Sequence, residues 1–199
     1  MHRRPYGPTA WWIDGLDDAA AYAAGVAALG HPDVIDVVPT ESTVVVRCAP
    51  GAVAALGEML DEIDAVPIDA NTRRIEIPVY YDGEDLAEVA ERVGVEVVEL
   101  VRRHTAVEYR VAFCGFSPGF AYLVGLDPLL ELPRRDRPRV AVPAGAVAIA
   151  AHYSAVYPSP SPGGWHLLGR TDAVVWDVAA DPPARLAPGT PVRFVPVDP

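Results

Sequence analysis

Phe113-Cys114-Gly115-Phe116-Ser117-Pro118-Gly119-Phe120-Ala121-Tyr122-Leu123 is the stretch on which the reading of this chain turns. A second stretch answers it, Tyr157-Pro158-Ser159-Pro160-Ser161-Pro162-Gly163-Gly164-Trp165-His166, running into Gly169-Arg170-Thr171. Both join chain-bending Gly and Pro to large aromatics. An aromatic beside such a turn either plugs a core or walls a pocket. Gly115–Gly119 also matches G-x-S-x-G, the nucleophile elbow of α/β-hydrolases. That elbow needs the backbone N–H of the residue after the serine, and here that residue is Pro118, which has none. Ser117 is instead expected to cap a helical turn opening at Pro118.

Outward from these segments the chain is turn-rich and strand-like. Tyr109–Phe113, Val140–Val142, Val147–Ala151, Ala173–Asp177 and Val192–Val195 are expected strands, and short strands with such turns point to a closed or nearly closed β-barrel. Ser159–Pro162 has linker composition, but Gly163-Gly164-Trp165 follows at once, so an ordered loop is expected.

The first half reads differently. Ala10–Ile13 is a strand and Ala19–Leu29 a helix, with Asp17 and Asp18 at its N-terminus where the dipole favours acid. Val34–Val38 and Thr43–Cys48 form a hairpin. A second helix runs to about Ile63, its apolar residues at helical spacing. The order β-α-β-β-α, with Arg74–Tyr81 as a further strand, resembles a small ferredoxin-like split α/β sandwich. A boundary near Ala70-Asn71-Thr72 divides residues 1–72 from 73–199. Asp85–Val93 and Val95–Arg103 are two short helices joined at Gly94. Glu84, Asp85, Glu88 and Glu91 are expected on a solvated face, and His104 as a C-terminal cap.

Composition narrows the function. The 199 residues are 51% hydrophobic and 22% charged, which is globular. Net charge is −11, with −13 on residues 1–100 and +2 on residues 101–199. An acidic first half repels phosphate backbones and argues against nucleic acid. No lysine occurs anywhere. The chain therefore has no P-loop lysine, no Schiff-base lysine and no biotin carrier of its own. No apolar run is long enough to span a bilayer, no secretory h-region follows the basic start, and Cys48 and Cys114 read as buried thiols; a cytoplasmic protein is expected. No metal site is expected, since no H-x-x-H or C-x-x-C occurs. Arg134-Arg135-Asp136-Arg137-Pro138-Arg139 is a dense cationic turn between the two aromatic segments. Arg binds carboxylate or phosphate through paired hydrogen bonds, which suits an acidic small molecule. Arg170 is a further candidate, with a structural salt bridge as its rival reading.

Four ordered motifs together resemble one family: Gly115–Leu123, Pro133–Gly145, Tyr157–Trp165 and Gly169–Thr171. The chain is similar to the allophanate hydrolase subunit 1 family, which includes the B subunit of bacterial 5-oxoprolinase (PxpB) and the kinase inhibitor KipI. The resemblance implies a cyclophilin-like β-barrel in the second half. It implies a larger, related C-type subunit (allophanate hydrolase subunit 2-like) and a third, A-type subunit as partners. The complex would cleave 5-oxoproline to glutamate with ATP and Mg, the nucleotide held by another subunit and this chain inactive alone. Phe116, Gly119, Phe120, Tyr122, Arg134, Arg139, Tyr157, Gly163, Gly164, Trp165, His166 and Arg170 are then the substrate-binding candidates. No general base or nucleophile is assigned. The alternative is a non-catalytic KipI-like regulator that docks on a sensor histidine kinase; prolyl isomerase activity rests on fold analogy alone. The chain departs from the family's P-A-G-S-V-G-I-A-G at Ala146, Ala148 and Ala151. Its Tyr81–Leu86 segment is shortened, and His166 replaces a common Gln or Arg.

Overall fold

The computed structural model describes residues 1–66 and 74–198. The chain folds as two compact units, Met1–Asp69 and Ala70–Pro199. The boundary expected at 72/73 lies outside the described residues.

In the first unit, strands β1 (His2–Pro5), β2 (Ala10–Asp14), β3 (Val34–Pro39) and β4 (Val44–Cys48) make an antiparallel sheet in the order β1-β2-β4-β3. Helices α1 (Ala19–Ala28) and α2 (Val53–Asp61) supply the other layer. Asp18 starts α1 by accepting the Ala21 amide at 2.8 Å, the N-cap bond its sequence position promises. Val44, Val46 and Cys48 alternate inward along β4 and meet Val26, Leu56 and Leu60 of the helices. One strand differs from expectation. Residues 75–79 pair within the second unit, and His2–Pro5 fills the fourth place beside β2. Arg3 and Arg4 hide that strand in the sequence, because an edge strand tolerates charge.

The second unit is built on a seven-stranded sheet. Its strands are β5 (Ile75–Val79), β6 (Tyr109–Cys114), β7 (Ala121–Val124), β9 (Ala146–Ala150), β10 (Tyr153–Val156), β12 (His166–Arg170) and β13 (Pro191–Pro196). The order is β12-β9-β10-β7-β6-β13-β5, with β13 parallel to β5 and antiparallel to β6. The sheet curls until its edges meet. Tyr80, just past β5, exchanges backbone hydrogen bonds of 2.8 and 2.9 Å with Arg170 at the end of β12. Gly83 and Asp85 then donate to the carbonyls of Leu168 and Leu167. Gly169 permits this seam, because a Cβ there would lie 2.2 Å from the Tyr80 carbonyl oxygen. A small separate ribbon pairs β8 (Arg139–Val142) with β11 (Ser161–Gly163). The suspected linker is thus ordered and carries a strand. Ala173–Asp177 forms no strand; only Trp176 makes an isolated bridge, to Ala184.

Helices α3 (Leu86–Val93) and α4 (Val97–Ala106) meet at Gly94, whose φ of 74° gives the left-handed cap. Their apolar faces join the barrel core with Ile77, Tyr109, Ile149, Leu168 and Phe194. The strands alternate between two buried environments. Val147 and Ile149 of β9 point to that core, whereas Ala146, Ala148 and Ala150 face an aromatic cluster on the other side of the sheet. Burial on both faces explains why β9 reads as a continuous apolar run.

His104 is not a surface cap; it is fully buried in the core. Ser154 Oγ donates to the Ala148 carbonyl at 3.2 Å, so it accepts from His104 Nε2 at 3.0 Å. The Tyr81 hydroxyl then donates to Nδ1 at 2.7 Å. The imidazole stacks on Phe194 with centroids 4.8 Å apart. Asp85 differs in the same way: its side chain is buried, not solvated.

Candidate functional site

The aromatic cluster on the outer face of the sheet opens into a small cleft of 60 Å³. Phe120 is its hub. The turn Gly115–Gly119 folds back through the Phe120 amide to the Ser117 carbonyl at 3.0 Å, which drops the Phe120 ring inward. That ring meets Tyr157 and Trp165 edge-on, at 5.2 and 5.5 Å between centroids. Tyr122 sits 5.1 Å from Phe120 and 5.7 Å from Trp165. Phe116 differs from buried Phe120, Tyr157 and Trp165 and half-buried Tyr122, being 63% exposed at the mouth. Its φ is +70°, an uncommon conformation for a bulky residue and a strained one that the turn imposes. The floor and rim are Pro162, Gly163 and Gly164, with the Tyr157 hydroxyl packed so tightly on Gly163 that a Cβ would lie 2.3 Å from it.

One cation lines this cleft among the described residues, Arg134. It makes no ion pair among them, and its charge is felt by two of the walls. Burial pushes the Tyr122 phenol up and Arg134 pulls it partly back. Burial likewise raises Tyr157, with Arg134 and Arg139 opposing it. The Arg134 backbone is propped from below. Buried His166 reaches the carbonyl of the preceding residue, Pro133, at 2.9 Å from Nε2. The Arg135 amide donates to the Gly164 carbonyl at 2.7 Å.

The structure therefore brings together Phe116, Phe120, Tyr122, Arg134, Tyr157, Gly163, Gly164 and Trp165. It sets the other four apart. Gly119, at φ +78°, lies against Trp176, where a Cβ would come within 2.4 Å of the indole side chain's own Cβ. His166 is the prop just described. Arg139 stands opposite Gly163 in the ribbon, but its guanidinium turns to Asp85 and Glu84. Arg170 pairs with Asp82 at 2.9 Å and lies over the Tyr80 ring at 4.5 Å. Ser117 caps nothing; its hydroxyl is buried without a hydrogen-bond partner among the described residues. Ala146 and Ala148 place methyls in the same buried cluster as Phe120, Tyr157 and Trp165, so they fill space beneath the walls.

Asp85 is the residue that the sequence did not reveal. Its Oδ1 accepts from Arg135 at 2.7 Å and from Arg139 at 2.6 Å, and its Oδ2 accepts the Leu167 amide at 2.7 Å. Burial raises its pKa, but the Arg139 hydrogen bond, the Leu167 amide and the two arginine charges outweigh that and hold the carboxyl below its ordinary value. The one available signal was Asp85 immediately before a helix, with a shortened glycine-bearing turn ahead of it.

Chemically, the cleft can set a small ring against its aromatic lining and bind a carboxylate at Arg134. Among the described residues lining it there is no carboxylate, imidazole, thiol or hydroxyl other than the two phenols. It can bind and orient, and it polarises weakly, but it has no strong base to activate water. No group of acidic, His and Cys side chains among the described residues is arranged to hold a metal ion. No helix among them is long and apolar enough to cross a membrane.

Known proteins align along nearly all of this architecture. The family model for the carboxyltransferase domain, subdomain C and D, matches residues 8–186. The B subunit of 5-oxoprolinase from Escherichia coli O157:H7 is 42% identical over 174 residues, covering 83% of this chain and 79% of that protein. The crystal structure of TTHA0988 in space group P212121 superposes with a TM-score of 0.84 at 36% identity. The match covers 96% of this chain but 40% of that one, so this chain spans about two fifths of TTHA0988. The Kluyveromyces lactis urea amidolyase shares the fold, with a TM-score of 0.71 at 19% identity over 98% of this chain and 15% of that one. With the family model spanning both aromatic segments and six of the seven strands of the sheet that carries them, this chain belongs to the carboxyltransferase-domain C and D family, together with the 5-oxoprolinase B subunits.

Proposed function

We propose that this chain is the B-type subunit of an ATP-dependent amide hydrolase that opens 5-oxoproline to glutamate. One observation carries the reading: an aromatic-walled cleft holds a guanidinium, Arg134, that has no carboxylate partner among the described residues. 5-Oxoproline is a five-membered lactam with one carboxylate. Its ring would lie in the mouth of the cleft against the exposed Phe116 ring, and its carboxylate would reach Arg134. The absence of a strong base among the described lining residues favours chemistry completed by other chains. A larger C-type subunit and an A-type subunit that holds ATP and Mg are the proposed partners, and the chain alone is inactive. The first unit is read as a ferredoxin-like sandwich with β1 as its fourth strand, and the second as a cyclophilin-like barrel.

Purified chain mixed with both partner subunits, ATP, Mg and 5-oxoproline should release glutamate, and omission of this chain should stop it. Glutamate release at the same rate without it sinks the reading. Within the active complex, Arg134→Ala should raise KM for 5-oxoproline roughly 10- to 100-fold, since a charge-assisted bond contributes about 1.5–3 kcal/mol. Its kcat should change far less, because the bond is made equally in ground and transition states.

A further inference from the structure

Four arginines crowd the run Arg134–Arg139, yet only Arg134 is seen in the cleft among the described residues. For Arg135 and Arg139 the reason is a built electrostatic trap. Asp85, with a side chain 3% exposed, takes one hydrogen bond from Arg135 and one from Arg139 on the same oxygen. Glu88 adds a contact to Arg135 at 3.0 Å and Glu84 one to Arg139 at 3.2 Å. Both trapped arginines are anchored in the cleft's own framework. Arg135 is tied through its amide to Gly164, and Arg139 faces Gly163 across the ribbon. The Arg139 charge is felt at Tyr157 even while paired.

We propose that Asp85 is a specificity-determining positioning residue, which withholds Arg135 and Arg139 from the cleft so that it recognises one carboxylate and discriminates against two. The inference rests on the reading of the cleft as a 5-oxoproline site. Hydrolysis adds water across the lactam C–N bond, forming an ammonium and a second carboxylate. Substrate and product therefore differ in the number of carboxylates. A site with one free guanidinium holds the lactam acid and gains little from the new carboxylate, so the product leaves. Three free guanidinium groups would retain it.

The test compares 5-oxoproline with glutarate, a dicarboxylate without the ammonium. Binding of each is measured calorimetrically on the full chain, alone and in the assembled complex, for wild type, Asp85→Asn and the double variant Glu84→Gln/Glu88→Gln. The double variant alters two exposed carboxylates and leaves the buried one in place, so it remains informative if Asp85→Asn fails to fold. The expected result is a gain in glutarate affinity relative to 5-oxoproline, about fivefold for Asp85→Asn and about twofold for the double variant, as unscreened positive charge appears near the cleft. A general loosening of the fold would weaken both acids together and would overturn the proposal. So would an unchanged affinity ratio in both variants. Failure of wild type to take up either acid overturns the cleft reading and the inference with it, whereas uptake of 5-oxoproline with an unchanged ratio removes only the part assigned to Asp85.

Discussion

Gly169→Ala is expected to destabilise the second unit by about 3 kcal/mol and to lower its melting temperature by roughly 10 °C. The new methyl would meet the Tyr80 carbonyl oxygen at 2.2 Å, the Tyr80 carbonyl carbon at 3.1 Å and Tyr81 Cα at 3.1 Å. All three are backbone atoms, so no side chain can rotate away. Relief requires the Tyr80–Arg170 seam to open, and with it the paired hydrogen bonds that close the barrel. Gly115→Ala is the control, since its nearest neighbour is a side-chain atom of Tyr122 at 3.9 Å. Calorimetric melting of both variants checks the argument. Equal melting temperatures for Gly169→Ala and wild type would show that the seam does not hold the barrel shut.

Acid should weaken this protein through His104, by about 1.4 kcal/mol for each pH unit between roughly 6.5 and 3. Burial lowers the imidazole's pKa from 6.5 to about 3 in the folded chain. Between those values the unfolded chain takes up a proton that the folded one refuses. The contribution is therefore complete above the unfolded pKa and is lost as pH falls toward the folded one. The cause is burial: Tyr81, Ser154 and the stacked Phe194 enclose the imidazole and keep away the water that would solvate its charge. A proton on Nδ1 would force the Tyr81 hydroxyl to turn from donor to acceptor and would leave a charge in the core with no carboxylate hydrogen-bonded to it among the described residues. His104→Gln keeps a hydrogen-bonding side chain that does not titrate. Urea unfolding at pH 7 and pH 5 should show a smaller loss for this variant than for wild type. Parallel losses would mean that carboxylates alone set the acid limit.

Much of the fold was legible from local chemistry. Asp18 before an alanine-rich segment is an N-cap, Gly94 between two apolar-periodic segments is a left-handed stop, and alternating Val44, Val46 and Cys48 make a strand. These signals are short-range and act through a residue's own backbone. The strands that escaped notice were those whose partners decide them. Tyr153–Val156 and His166–Arg170 are too short and mixed to declare themselves, yet each pairs along β9. Ala173–Asp177 has strand composition but no neighbouring edge in register beyond the Trp176 bridge, so it remains irregular.

The cleft divides in the same way. Its aromatic walls were readable because Gly and Pro next to aromatic residues fix where a ring can point. The charges were not. Within Arg134–Arg139 the residue types are nearly the same, and sequence spacing gives no reason to prefer one arginine. Asp85 makes the choice from 50 positions away along the chain, and it can do so because closure of the barrel brings the start of α3 against β12. Sequence by itself determined the turns, the caps and the aromatic surfaces, since these follow from the φ, ψ and hydropathy of each residue. Only the tertiary structure decided that Arg135 and Arg139 are paired while Arg134 lines the cleft with no ion pair among the described residues, because a charge takes its meaning from neighbours that folding supplies.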